Sequence, residues 1–263
     1  MLFATLKSER FASRCSTLNH KSWTPSYLKP AADHHLHIGA IIFPRMDQFD
    51  FTGPFEVLSR IPNSTMHIAW KDTSPVRDVR GLLLTPGTTL VATPPLDVLV
   101  VPGGSGQLEL MEDEAVLSFI RDQASHAMLV FSVCTGALTV GAAGLLKGVK
   151  CTTHWASFHI LEYFGAIPTN ERVVVDGKFV SAAGVSSGID GALRIAAMLR
   201  GDRVAQEIQL YMQYAPEPPF HSGTPETAPA EIVAAARASS QKISEARIAV
   251  ARRLGGGSGE QNA

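Results

Sequence analysis

The chain has 263 residues, of which 45% are hydrophobic and 18% charged, with a formal net charge of −1. That length can bury one large core or two small ones, and the near-neutral balance makes nucleic acid and anionic membrane poor partners. No apolar stretch approaches the ~20 residues of a membrane span, and three scattered cysteines form no disulfide framework, so a reducing, cytoplasmic setting is the simpler reading.

Residues 1–33 stand apart as a basic, Ser-rich leader with a net charge of +3, which leaves −4 on the remainder. A transit peptide fits this composition, as does a disordered leader or an upstream start; the second reading is favoured. His34, His35 and His37 lie at the junction without a Cys or carboxylate at ligand spacing, and read as a polar edge rather than a metal site.

LHIGAIIF (36–43) is a first strand, apolar enough for burial on both faces. FTGPFEVLSRI (51–61) follows as a helix with Pro54 in its first turn. MHIAWK (66–71) is a short strand, and RGLLLTPGTTL (80–90) holds one or two more. LDVLVVPGGSG (96–106) is the clearest α/β signature, an apolar strand running into a Gly-rich turn. MEDEAVLSFIRDQASH (111–126) is an amphipathic helix with Val116, Phe119 and Ile120 on one face and acids at its start. AMLVFSV then reads as a buried strand ending at Cys134, and TGALTVGAAGLL as the small-residue helix behind it. WASFHILEYFG (155–165) is another helix, and RVVVDGKFVSA (172–182) a hairpin whose Asp-Gly suits a type I′ turn. Helices at 186–201 and 202–214 precede the Pro-rich PEPPFHSGTPETAP, a final helix around 230–254 and a frayed Gly-rich end.

Strands alternating with helices imply a mostly parallel sheet covered on both faces. Ligands bind such sheets outside the carboxyl ends of the strands. The turn after Phe43, the GGSG turn after Val101, and Cys134 all converge there.

Free cysteine is usually a small buried hydrophobe. Cys134, however, sits where a strand passes into a helix, a placement that projects its sulfur from the sheet edge and lets the helix terminus favour the thiolate. The nucleophile reading is therefore preferred, with a lowered thiol pKa near neutrality. Its proton partner is either His154 or Asp50. Asp50 follows the first strand beside Phe49 and Phe51, where burial would raise its pKa. Asp50 as a helix N-cap, and His154 as a packing residue before Trp155, are the plainer alternatives. Cys151 reads as structural, and Cys15 lies in the leader.

These residues together resemble a known superfamily. DFTGP after the first strand, VPGG after a central one, SVCTGALTVGAAGLLKG with TTHW, and the later GID are similar to ThiJ/PfpI proteins across roughly residues 36–230. HIAWK, MEDEAVLSFIRDQA, GAIPTNERVVVDG and YAPEPPFHSGTPETAP resemble the isonitrile hydratase branch in particular. The resemblance implies a flavodoxin-like three-layer α/β sandwich, class I glutamine amidotransferase-like, over residues 34–230, with 231–263 as a C-terminal helix and tail. It also implies a homodimer, no metal or organic cofactor, a Cys134 nucleophile and an Asp50 partner.

The implied reaction is hydration of an isonitrile to an N-substituted formamide. Thr135 would bond the sulfur or position Asp50, Gly104 and Gly184 would offer N–H groups to developing charge, and the Phe residues near Asp50 would form an apolar wall. Thr135 stands where peptidase-like and deglycase-like members carry His, which argues against those activities. A glyoxalase or deglycase nevertheless stays as an alternative, beside a redox protein and a ligand sensor of the AraC-regulator type. Only 48 residues follow Ala215, and they begin Pro-rich, which leaves little for a DNA-binding module.

Overall fold

A computed structural model describes Leu28 and residues 30–256. Most of the basic leader, including Cys15, and the end of the chain after Gly256 lie outside the described residues.

The first strand, β1 (Leu36–Ile41), is almost wholly buried, as its unbroken apolar run requires, and ends two residues before Phe43. Helix α1 (Phe49–Leu58) starts two residues earlier than its sequence pattern suggests, so Asp50 lies inside its first turn rather than in the preceding loop. Pro54 consequently falls in the second turn, where its missing N–H leaves the Asp50 carbonyl without its helical donor. Strand β2 (Ser64–Trp70) pairs parallel to β1, with Ile38 opposite Met66. A small antiparallel ribbon follows, β3 (Val76–Arg77) with β4 (Leu83–Leu84), and then β5 (Thr88–Thr89) pairs parallel to β2.

Strand β6 (Val98–Val101) returns to the other side of β1. A short helix α2 (Gln107–Leu110) leads to α3 (Glu114–His126). Asp113 caps α3 by accepting from the Val116 N–H, and Val116, Phe119 and Ile120 are buried on the expected face. Strand β7 (Leu129–Val133) then pairs parallel to β6 and passes into α4 (Gly136–Ala142). Beyond it lie β8 (Lys150–Cys151), a 3-10 helix at Trp155–Phe164 where an ordinary helix was expected, and β9 (Ile167–Pro168).

The hairpin β10 (Val173–Asp176) and β11 (Phe179–Ala182) closes the sheet edge. Its two-residue loop is Gly177-Lys178, and only Gly177 has positive φ, at 56°. That is the pattern of type II′, so the expected type I′ turn is corrected. The chain ends in α5 (Ser187–Arg200), α6 (Asp202–Tyr211), an irregular stretch over 212–229, and α7 (Ala230–Gly256).

The main sheet runs β10-β11-β7-β6-β1-β2-β5 and is parallel except for the β10–β11 hairpin. Helices α1, α5 and α6 pack as one layer, while α2, α3, α4, the 3-10 helix and α7 make the other. This is the three-layer α/β sandwich of the sequence reading. From β1 the chain builds outward through β2 to β5, then crosses back to place β6 and β7 on β1's opposite flank. The order therefore reverses between β1 and β6, and it is outside the carboxyl ends of strands at such a reversal that α/β sheets bind ligands. Asp50 and the Gly-rich turn meet at that point.

Candidate active site

Cys134 is the first residue after β7 and takes the left-handed conformation, with φ 54°. A non-glycine residue adopts this only when its surroundings hold it there. Here both backbone groups are tied down: the N–H donates to Ala182 O at 3.0 Å, and the carbonyl accepts from Thr153 Oγ1 at 2.7 Å. The sharp strand-to-helix elbow expected from the sequence is present. The Thr135 N–H faces the sulfur, and the side chain is 6% exposed.

Asp50 is completely buried, and its Oδ2 accepts the Gly103 N–H at 3.0 Å. The carboxyl stands beside the Cys134 thiol and interacts with it, and Oδ1 makes no other hydrogen bond. Burial pushes the Asp50 carboxyl well above its usual range, helped by the nearby Asp47 charge and opposed by the Gly103 N–H. The thiol also moves up. Burial is the main cause and the Asp50 charge the second, and both outweigh the Thr135 N–H and the Arg247 cation. The expectation of a thiol pKa lowered by the helix terminus is thus corrected: at this depth desolvation exceeds the dipole. A negative Asp50 opposes ionisation of the thiol beside it.

Glycines let the surrounding segments close in. A Cβ on Gly136 would lie 2.0 Å from Val101 O, and one on Gly103 would lie 2.5 Å from Thr135 Oγ1. The turn after β6 and the start of α4 therefore touch backbone to backbone. The Thr135 hydroxyl accepts from the Gly104 N–H at 3.1 Å. Its observed bonds reach neither the sulfur nor Asp50, which redirects the expected role to the Gly-rich turn. The Gly104 N–H, expected to meet developing charge, is engaged by that hydroxyl. Gly184 lies just beyond β11 at the same edge, where an added Cβ would meet nothing.

Arg247 was not singled out from the sequence, although α7 carries it into this site. It is 7% exposed and donates to Gly104 O at 2.7 Å, Gln107 Oε1 at 3.0 Å, Thr135 Oγ1 at 3.4 Å and Ser157 Oγ at 3.5 Å. One signal existed: Arg247 precedes Val250 and Ala251 at helical spacing, on what proves to be the buried face.

His154 caps the 3-10 helix, with Nδ1 accepting from Ala156 N at 3.3 Å, and burial lowers its pKa. Cys151 is buried, donates to Thr152 O and has its pKa pushed up to about 11 by desolvation, in keeping with a structural thiol. The histidines at the other end of β1 bond within the fold, His37 with His67 and His34 with Asp97. Among the described residues no three His, Cys, Asp or Glu side chains gather at metal-binding range, and no helix is long and apolar enough to cross a membrane.

This arrangement of strained cysteine, buried acid and Gly-rich turn can be set against known proteins. Residues 37–198 match the DJ-1/PfpI family. The chain belongs to that family. Among DJ-1/PfpI relatives, the isonitrile hydratase of Pseudomonas putida is 51% identical over 202 residues, covering 77% of this chain and 89% of that protein. Protein DJ-1alpha of Drosophila melanogaster is 29% identical over 182 residues, 68% of this chain and 84% of that one. The crystal structure of a ThiJ/PfpI family protein from Pseudomonas syringae superposes with a TM-score of 0.81 at 37% identity, covering 83% of this chain and 91% of the other.

Proposed function

We propose that this protein hydrates isonitriles, R–N≡C, to N-substituted formamides, R–NH–CHO, with Cys134 as nucleophile and Asp50 as proton carrier. The observation that carries the reading is the buried Cys134–Asp50 pair, a thiol at a strand-to-helix elbow with a carboxyl beside it. The 51% identity to an isonitrile hydratase supports the substrate class.

In the reactive form the sulfur is a thiolate and Asp50 is protonated. The thiolate attacks the terminal isonitrile carbon, and Asp50 delivers its proton to that same carbon, forming a thioimidate, R–N=CH–S–Cys134. The Asp50 carboxylate then takes a proton from water as the water oxygen adds to the thioimidate carbon. Asp50 passes that proton to the substrate nitrogen, the C–S bond breaks, and Asp50 takes the remaining hydroxyl proton as the carbonyl forms, so formamide leaves with the thiolate and the protonated acid restored. The negative charge stays on the pair or the substrate throughout. A buried site suits such a cycle because few solvent protons compete.

The working form is a homodimer acting on a small apolar isonitrile. The deciding experiment incubates the full chain and Cys134→Ala with an alkyl isonitrile and follows formamide by NMR. Formamide from the parent only, with matching circular dichroism, is expected. Folded parent protein that makes none would overturn the reading.

A further inference from the structure

We propose that Arg247 is a positioning residue for this chemistry: from the last helix it clamps the Gly-rich turn and Thr135 around the Cys134–Asp50 pair, and supplies the positive charge that makes the singly ionised pair accessible. The role rests on the hydration reading for its place in turnover, but not for its effect on the thiol.

The geometry has two parts. First, the guanidinium closes a chain of contacts around the reacting groups. It donates to the Gly104 carbonyl and the Thr135 hydroxyl, the same hydroxyl accepts the Gly104 N–H, and the adjacent Gly103 N–H grips Asp50. Thr135 is also the residue whose N–H faces the sulfur. Displacement of this one side chain would loosen supports for both partners of the pair.

Second, the charge is uncompensated by any ordinary ion pair. All four acceptors around Arg247 are neutral, and none of the ion pairs among the described residues includes it. A buried cation is retained at a heavy desolvation cost unless an anion lies near. The candidate anion is the charge that Cys134 and Asp50 share, and the Arg247 cation does act on the thiol. The other titratable groups facing the pair are Asp47, ahead of α1, and His154, ahead of the 3-10 helix. Burial and the Arg247 charge hold His154 below its usual range, so at neutral pH it adds no second cation. Asp47 pushes the Asp50 carboxyl further up, which opposes ionisation of the pair. Arg247 is thus the cation that favours its ionised form.

The test uses full-length Arg247→Met, which keeps length without charge, and Arg247→Lys, which keeps charge without the planar fork. The first readout is the pH dependence of Cys134 alkylation by iodoacetamide, followed on the Cys134 peptide by mass spectrometry. Loss of the cation destabilises the thiolate, so Arg247→Met is expected to move the midpoint upward by about one pH unit or more. Arg247→Lys is expected to stay within about half a unit of the parent. The second readout is hydration of n-butyl isonitrile, where kcat should fall about tenfold or more in Arg247→Met with a smaller change in KM, and recover in part with Lys.

Coincident alkylation profiles for the parent and Arg247→Met would overturn the proposal. Should the Met variant not fold by circular dichroism, Arg247→Gln takes its place. If neither neutral variant folds, Arg247→Lys decides alone: a parental midpoint supports the charge role, and one displaced by about a unit overturns it. A parent that makes no formamide, yet whose alkylation midpoint rises on loss of the Arg247 charge, would remove the hydration reading and leave the charge role standing.

Discussion

Asp50 occupies a position where a carboxylate is costly, and that cost has a sign that can be measured. The unfolded chain loses the Asp50 proton in the ordinary carboxylate range, whereas burial lets the folded chain keep it to higher pH. Between those two points the native state binds more protons than the unfolded one. Stability therefore falls as pH rises through that window, by up to about 1.4 kcal/mol per pH unit. Asp50→Asn keeps the shape and an oxygen for the Gly103 N–H, but cannot ionise. The variant is expected to melt close to the parent below the carboxylate range and progressively above it as pH increases, measured by thermal denaturation at a series of pH values. Turnover should move the other way, with kcat reduced by ~10²-fold or more, the usual scale for a lost general acid–base group. A variant with near-normal kcat would mean that another group carries the proton.

Among the elements, the contact between β6 and α4 decides where the sulfur stands. Alanine is normally the better helix former by about 1 kcal/mol, so Gly136→Ala would stabilise an isolated α4. In this fold the added Cβ would lie 2.0 Å from Val101 O and 2.8 Å from Pro102 O, both backbone atoms that cannot swing aside. Steric overlap wins. The substitution is expected to destabilise the protein by about 1–3 kcal/mol in urea titration and to lower turnover, because the start of α4 carries Thr135 and adjoins Cys134. Stability equal to the parent would show that α4 can withdraw from β6 freely. The elements themselves were largely legible, since buried runs such as LVFSV and the 3.6-residue spacing of α3 are local patterns. Element edges were less so: α1 gains Phe49 and Asp50, and only the turn geometry ahead of it decides that.

At the scale of the molecule, several large apolar side chains among the described residues stand exposed, among them Leu210 at 81%, Tyr211 at 71% with the Arg60 guanidinium on one ring face, and Phe220 at 76%. These three lie at the end of α6 and on the Pro-rich stretch, which has no regular structure of its own. Proline stiffness lowers the entropy lost when such a segment is laid across a second surface. The full chain is expected to be a homodimer at micromolar concentration by light scattering, and Leu210→Asp with Phe220→Asp should shift it towards monomer without loss of far-UV circular dichroism. Point substitutions are the right probe, because truncation after Tyr214 would also remove α7 and with it Arg247. A double variant that remains a tight dimer would place the interface elsewhere.

The sequence by itself determined the α/β alternation, the convergence of the Gly-rich turn and Cys134 on one sheet edge, and the candidacy of Cys134 with either Asp50 or His154. Each rests on a local signal: periodicity, a turn motif, or a residue type at the junction of two patterns. Only the tertiary structure decided the direction in which the thiol and the carboxyl shift. Burial of the thiol and the carboxyl is a sum over the whole surrounding fold, and it reverses the direction that a helix terminus alone would dictate. The partners that hold the pair are likewise remote along the chain. Gly103 and Asp50 are 53 residues apart, and Arg247 and Gly104 are 143 apart. No local pattern encodes such distances; the crossover between β1 and β6 and the return of α7 over the 3-10 helix bring these groups within hydrogen-bonding reach.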